Sequence, residues 1–321
     1  MKRKLTALSL FSGAGGLDLG ASWAGFEILA HVEIDPHCCA TLRNWAKREH
    51  SKTRIIEADI NTINPTALMS DLHLEAGDLD LLMGGPPCQA FSQIGLQKSL
   101  HDPRGLLLFQ VARFANAFKP KTILIEQVKG VLTAEDQRGQ RGGVLKQLLA
   151  DLRSCGYESK YQVLKAADYG VPQLRERVFV IATPPPNTYV FPLPTHSPNK
   201  DMADLFAAKP YATVGQALAG LPKPPIINGQ KSPLKIPNHA DVTTQRDRER
   251  INGVPEGGWL SAQLHLSVEQ RRRLTRKDTT KYRRLARSGQ SLTLRCGEIF
   301  FHPTQNRYLT PREYLRLHGY P

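Results

Sequence analysis

Cys88 is the residue in this sequence best placed for covalent chemistry. It sits in Gly84-Gly85-Pro86-Pro87-Cys88-Gln89-Ala90-Phe91-Ser92, just past the apolar run 79–83. Two glycines let a ligand approach the backbone, and two prolines fix φ and withhold donors, so a strand end hands the thiol to a stiff, non-helical loop. The competing expectation is a buried cysteine acting as a small apolar side chain; the flanking Gly-Gly-Pro-Pro and Gln-Ala-Phe-Ser favour a nucleophile. Two later stretches supply partners for such a thiol. Ile123-Leu124-Ile125 ends in Glu126, a carboxylate after an apolar run where an unpaired charge is costly. Tyr169-Gly170-Val171-Pro172-Gln173-Leu174-Arg175-Glu176-Arg177 reads as the start of a strand, and alternation along it puts Arg175 and Arg177 on one face. If these strands are neighbours, thiol, acid and arginine pair converge.

The first sixty residues carry a second group. An apolar run, 5–11, ends in Phe11 and enters Ser12-Gly13-Ala14-Gly15-Gly16; the next two runs end at Glu33 and Asp59. A glycine loop admits a small ligand to the backbone, and a carboxylate ending the second strand can accept from both hydroxyls of a ribose. The neighbours Ile34 and Ile60, with Pro86 on the cysteine loop, are counted in the same nucleoside-shaped pocket. The spacing does not separate a nicotinamide cofactor from S-adenosylmethionine, and Asp59 alone could be an ordinary strand-end carboxylate.

The elements that must position these residues alternate. Strands are expected at 5–11, 26–33, 54–57, 79–83, 122–126, 157–165 and 177–182, with helices at 17–23, 37–48, 105–118 and 143–154. Such alternation predicts an α/β fold with a largely parallel sheet, helices on both faces and ligands at the carboxyl ends of the strands. At 321 residues and 40% hydrophobic, the chain suffices for one large domain and a smaller one. No apolar run reaches eighteen residues and no signal-peptide core follows Met1, so a cytoplasmic protein is expected. Cysteines 38, 39, 88, 155 and 296 show neither zinc-like spacing nor a disulfide framework, which predicts reduced thiols and no metal. Net charge is +14, carried unevenly: residues 183–321 hold 21 basic and 10 acidic side chains. That excess points to a polyanion, nucleic acid rather than membrane. Residues 183–239 hold 12 of the 23 prolines and read as a crossing to a second lobe. Beyond it, 238–294 is a basic stretch that includes Arg271, Arg272 and Arg273. Its cations suit phosphate contacts and one or two of its arginines could read guanine in the major groove, the alternative being a solvated helix face over 269–287.

Taken together, Ser-Leu-Phe-Ser-Gly-Ala-Gly-Gly, Gly-Pro-Pro-Cys-Gln, Gln173-Leu174-Arg175-Glu176-Arg177 and the terminal stretch 306–321 resemble the motifs of DNA cytosine-C5 methyltransferases, in order and spacing. The resemblance implies a Rossmann-like S-adenosylmethionine-dependent fold with a mixed, mostly parallel sheet over 1–182. It also implies a smaller, irregular target-recognition domain over 183–290 and a return segment over 291–321. It implies a monomer acting on double-stranded DNA, within a restriction-modification system, with no metal. Cys88 is then the nucleophile toward C6 of a flipped cytosine, Glu126 meets its N3 and N4 edge, Arg175 and Arg177 hold O2, and Gln89 and Ser92 follow the flipped strand. A tRNA cytosine methyltransferase and a catalytically silent DNA-binding relative are the alternatives. Two departures stand out. Gln127 replaces the family's usual Asn, putting the bracing of the cysteine loop in question, and the sequence stops at Pro321, before the family's final motif, so a further C-terminal segment is expected to be needed.

Overall fold

The computed structural model describes residues 3–87, 106–198, 208–227, 235–263, 266–274, 282–295 and 299–321. The chain divides into two compact units, residues 1–164 with 177–191, and residues 165–176 with 192–321.

The first unit is built on a seven-stranded sheet. Its strands are β1 (Leu5–Leu10), β2 (Phe26–Glu33), β3 (Arg54–Glu57), β4 (Leu81–Gly84), β5 (Thr122–Val128), β6 (Glu158–Lys165) and β8 (Glu176–Thr183), in the order β3-β2-β1-β4-β5-β8-β6. From β3 through β5 neighbouring pairs run parallel, and β8 turns antiparallel against β5. This is the mixed, mostly parallel sheet expected. β4 lies at the centre with all four residues buried, so it has no polar face and reads as a short continuous apolar run. Helices cover the sheet. α1 (Gly16–Trp23) follows the glycine loop; α2 (Pro36–Arg48) and α3 (Pro65–Asp71) each start with proline after a side-chain cap, Asp35 and Asn64 respectively. α4 (Gln110–Phe118) buries Val111, Phe114, Ala115 and Phe118, and α5 (Gly143–Ser154) buries Val144, Leu148 and Leu152. These i, i+3 and i, i+4 stripes join Leu8, Leu10, Leu82, Ile123 and Ile125 in one core, each large apolar side chain contributing about 1.5–3 kcal/mol by burial. No helix among the described residues is long and apolar enough to cross a membrane.

Element boundaries differ from expectation where a polar residue acts locally. β1 stops at Leu10 because Phe11 adopts φ 54°, a left-handed conformation that no strand continues. β4 begins at Leu81 rather than 79. Asp80, just before it, ties its carboxylate to Arg3 at 2.6 Å, Lys121 at 2.8 Å and the Thr6 N–H at 2.8 Å.

The second unit has short ladders in place of a large sheet: β7 (Gln173–Leu174) with β12 (Ser291–Leu292), β9 (His196–Ser197) with β10 (Lys209–Pro210), and β11 (Tyr282–Arg284) with β13 (Ile299–Phe301). One apolar cluster gathers Val214, Leu285, Leu294, Phe300, Leu309 and Leu317; another gathers Ile251, Val254, Leu260 and Phe301. Clusters this small are reinforced by buried ions. Arg307 bonds both oxygens of Glu313, at 2.8 and 2.7 Å, and Glu313 with Thr310 closes a capping box on the helix Pro311–Leu317. His302, nearby, has its pKa pushed down to about 4, chiefly by burial and then by the cationic Arg307. The continuous helix weighed for 269–287 is corrected: the helix is Val268–Arg272, and Tyr282–Arg284 is strand.

Candidate active site

Every functional side chain the structure describes in the first unit lies at one edge of the sheet, because parallel strands end together. Leu10, ending β1, is in register with Gly84, ending β4, and Gly84 with Ile125 of β5. The glycine loop, the start of the cysteine loop and Glu126 therefore emerge side by side. Antiparallel β8 brings its first residues to the same edge, placing Phe179 opposite Glu126 and Arg177 opposite Val128. A Cβ on Gly84 would stand 3.0 Å from the Leu10 carbonyl oxygen, so glycine allows the two strands to close where their loops diverge.

Glu126 and Arg177 form an ion pair, Nε to Oε1 at 2.8 Å, with side chains 26% and 17% exposed. The pair is thus partly desolvated and open to a ligand. Glu126 Oε2 lies 3.6 Å from where a Cβ of Gly85 would be, which sets the carboxylate against the entrance of the cysteine loop. Gln127 answers the question its length raised. It is 1% exposed, and its Nε2 donates to the Pro86 carbonyl at 2.7 Å, so the extra methylene is accommodated and the brace is made. Pro86 itself is buried and the brace holds its backbone. Gln127→Ala should lower stability by about 1–3 kcal/mol by stranding that carbonyl, measured by denaturant unfolding; an unchanged midpoint would show that the brace carries no energy. Cys88, Gln89 and Ser92 lie outside the described residues.

At the first three strand ends, Glu33 organises the expected pocket. Its Oε2 accepts the Gly13 N–H at 2.7 Å, and its Oε1 accepts those of Ile34 and Asp35, each at 2.9 Å. The carboxylate thus ties the glycine loop to the turn into α2. Gly13 has φ 54° and nothing within 4 Å of a Cβ position, which leaves open space over the loop. Ala14 and Gly16 are exposed, Gly15 is buried beneath, and Ile34 is an apolar side chain 63% exposed next to Glu33. An anionic acceptor, an uncovered glycine backbone and an exposed apolar flank fit the nucleoside part of a cofactor. Some of the expected contacts are altered. Ser12 is buried, and its hydroxyl donates to Ser9 Oγ at 2.9 Å. Ile60 is 4% exposed and packs in the core. The Asp59 carboxylate caps the turn after β3, accepting from the Asn61 backbone at 2.9 Å and side chain at 3.0 Å. Ser12 and Ile60 can offer a ligand only backbone.

Arg175 departs most from expectation. Residues 173–177 are not one strand: Gln173–Leu174 pairs with Ser291–Leu292, β8 begins at Glu176, and Arg175 falls in the break, within the second unit. Alternation cannot set it on one face with Arg177. Gln173, 1% exposed, is spent inside the second unit on the Leu294 N–H, the Leu317 carbonyl and His318. Of the basic stretch, Arg272 is exposed and Arg273 pairs with Glu269 one helical turn away; Arg271 lies in the same helix. Sequence reasoning missed one pair altogether: Asp18 of α1 and His31 of β2 are buried with Oδ1 and Nδ1 2.9 Å apart, though not aligned as a hydrogen bond. Only a polar residue on each apolar run could have signalled it.

Comparison with known proteins agrees with this geometry. The model of the C-5 cytosine-specific DNA methylase family matches residues 5–321. The Type II methyltransferase M.NgoFVII of Neisseria gonorrhoeae is 34% identical over 322 residues, 98% of this chain and 77% of that one. M1.HphI of Haemophilus parahaemolyticus is 31% identical over 99% of this chain and 78% of its own. M.AquIA of Picosynechococcus is 39% identical over 69% of this chain and 90% of that one. In fold, a prophage-encoded DNA modification methyltransferase of E. coli superposes with a TM-score of 0.71 at 23% identity, covering 99% of this chain and 89% of that one. With relatives of this identity and a family match across nearly the whole chain, this protein belongs to the C-5 cytosine-specific DNA methylases.

Proposed function

We propose that this chain methylates C5 of a cytosine flipped out of a specific duplex DNA sequence, taking the methyl group from S-adenosylmethionine, as the modification member of a restriction-modification system. The observation that carries the reading is the shared sheet edge: glycine loop with Glu33, entrance of the cysteine loop, and the Glu126–Arg177 pair, on adjacent strands. C5 of cytosine is a poor nucleophile. Addition of the Cys88 thiolate to C6 makes the ring enamine-like, and C5 can then attack an electrophile. S-adenosylmethionine, when bound, supplies the sulfonium-activated methyl group. Glu126 meets the N3 and N4 edge and stabilises the protonated ring as charge moves onto it. Arg177 holds Glu126 Oε1 at 2.8 Å, so it positions the acid besides facing the base. Loss of the C5 proton then expels the thiol. Inside a duplex the base is out of reach of any of these groups, so it must be extruded.

The test is transfer of labelled methyl groups to duplex DNA and to tRNA, followed by base-resolution sequencing of modified cytosines. Modification confined to one duplex sequence is expected. Transfer to tRNA alone would replace the substrate, and the absence of both transfer and covalent trapping on 5-fluorocytosine DNA would leave a silent relative.

A further inference from the structure

Adjacent arginines on β11 meet opposite fates. Arg284 is buried, and its guanidinium donates to the carbonyls of Val254, Ile251, His302 and Gln305 and to Asn306 Oδ1, at 2.7–3.0 Å. Its charge is spent on holding the second unit together. Arg283 is half-buried and anchored at two points only. Its Nε donates to the Gly257 carbonyl at 3.1 Å, and its guanidinium carbon lies 5.1 Å from the centroid of the Trp259 ring. Nη1 and Nη2 bond nothing among the described residues.

The turn Pro255-Glu256-Gly257-Gly258-Trp259 carries both anchors and is itself held in place. Arg284 N–H donates to the Gly258 carbonyl at 2.9 Å, Trp259 forms an antiparallel bridge with Arg283, and Glu256 accepts from the Arg287 backbone and guanidinium. A Cβ on Gly258 would come within 2.7 Å of Pro255 Cγ and 3.0 Å of its carbonyl oxygen, so the turn closes only with glycine there. Arg250 likewise lies over a ring, that of Tyr282, at 4.8 Å from its centroid, but several other arginines of the unit differ. Arg248 is bound to Asp241 at 2.6 Å, Arg287 to Glu256 and Arg307 to Glu313, while Arg246 and Arg272 are exposed with no orienting contact among the described residues.

A guanidinium fixed in its plane through Nε and one face keeps its two terminal N–H groups as an oriented fork. Such a fork matches the O6 and N7 acceptors of guanine and also a pair of phosphate oxygens; only the contact with the base carries sequence preference. We infer that Arg283, oriented by Trp259 and the Gly257 carbonyl, reads a guanine in the major groove of the recognition sequence. The inference rests on the reading of the chain as a duplex-DNA methyltransferase.

Its test is the methylated-site spectrum of Arg283→Ala, Arg283→Lys and Arg283→Gln on a duplex library holding every context, with thermal unfolding alongside. Arg283→Ala should lose about 10- to 100-fold of its preference at one guanine position and keep preferences elsewhere. Arg283→Lys should not restore that preference, and Arg283→Gln should move it toward adenine. A wild-type spectrum in a folded Arg283→Ala variant would overturn the inference. So would a uniform loss over all contexts, which marks a phosphate contact, or unfolding of all three variants, which marks a brace of the turn. A wild-type enzyme that modifies no duplex at all would instead sink the underlying reading, and this one with it.

Discussion

Cys88→Ser should bind its duplex normally and lose methyl transfer by about a thousand-fold or more. A serine alcohol is scarcely ionised near neutral pH and is a far weaker nucleophile than a thiol, and knocking out a covalent nucleophile typically removes several orders of magnitude of rate. Nothing else among the described residues at the sheet edge can substitute. Glu126 is engaged with Arg177 and is a poor nucleophile, Cys39 is buried, and Cys155 packs against the core. Cys38, on α2, has its pKa pushed up to about 11 by partial burial and by Asp35 and Glu33 beside it, so it stays a thiol. DNA affinity should persist because the cations available to phosphate, such as Arg246 and Arg272, belong to the second unit. Single-turnover transfer and gel-shift affinity on the same preparation separate the two effects. Turnover near the wild-type rate, or trapping of the Ser variant on 5-fluorocytosine DNA, would remove Cys88 from the mechanism.

What could be read in the sequence follows from which physical signal each residue leaves there. Strands at 26–33 and 54–57 and the helix at 143–154 stand where their apolar periodicity put them, since burial of a face dictates both pattern and element. Glu33 and Glu126 were legible because a carboxylate closing an apolar run needs partners, and each has them. Arginines were not. Arg283 and Arg284 look alike in sequence, yet one is a buried tie between loops and the other an oriented fork; the difference lies in carbonyls contributed by residues 251–257 and 302–305. Charge counting treated both as surface cations. Arg175 misled for a related reason: alternation assumes one continuous strand, and the break at that residue depends on β7 pairing with Ser291–Leu292, more than a hundred residues away. Ser12 and Ile60 show the converse. A motif position beside a ligand loop need not point its side chain at the ligand, and both here serve the protein interior.

Glu33→Ala should weaken S-adenosylmethionine binding by about 2 kcal/mol, roughly 30-fold, and also loosen the glycine loop of the free protein. A carboxylate offers about four acceptor positions. Three are already taken by the N–H groups of Gly13, Ile34 and Asp35, so one remains for a ribose that brings two hydroxyl donors. Either one backbone bond is surrendered on binding or one hydroxyl is served elsewhere. The net gain from Glu33 is therefore closer to one charge-assisted hydrogen bond than to two. Calorimetry with S-adenosylhomocysteine and its 2′- and 3′-deoxy analogues, on wild type and Glu33→Ala, resolves the cycle. The hydroxyl that Glu33 holds should lose its worth in the variant, while the other keeps most of its own. Equal losses for both hydroxyls on mutation would mean that the carboxylate releases its backbone partners to chelate the diol. Unchanged affinity would reduce Glu33 to a clasp on the loop, leaving the ribose to some other group at the strand ends.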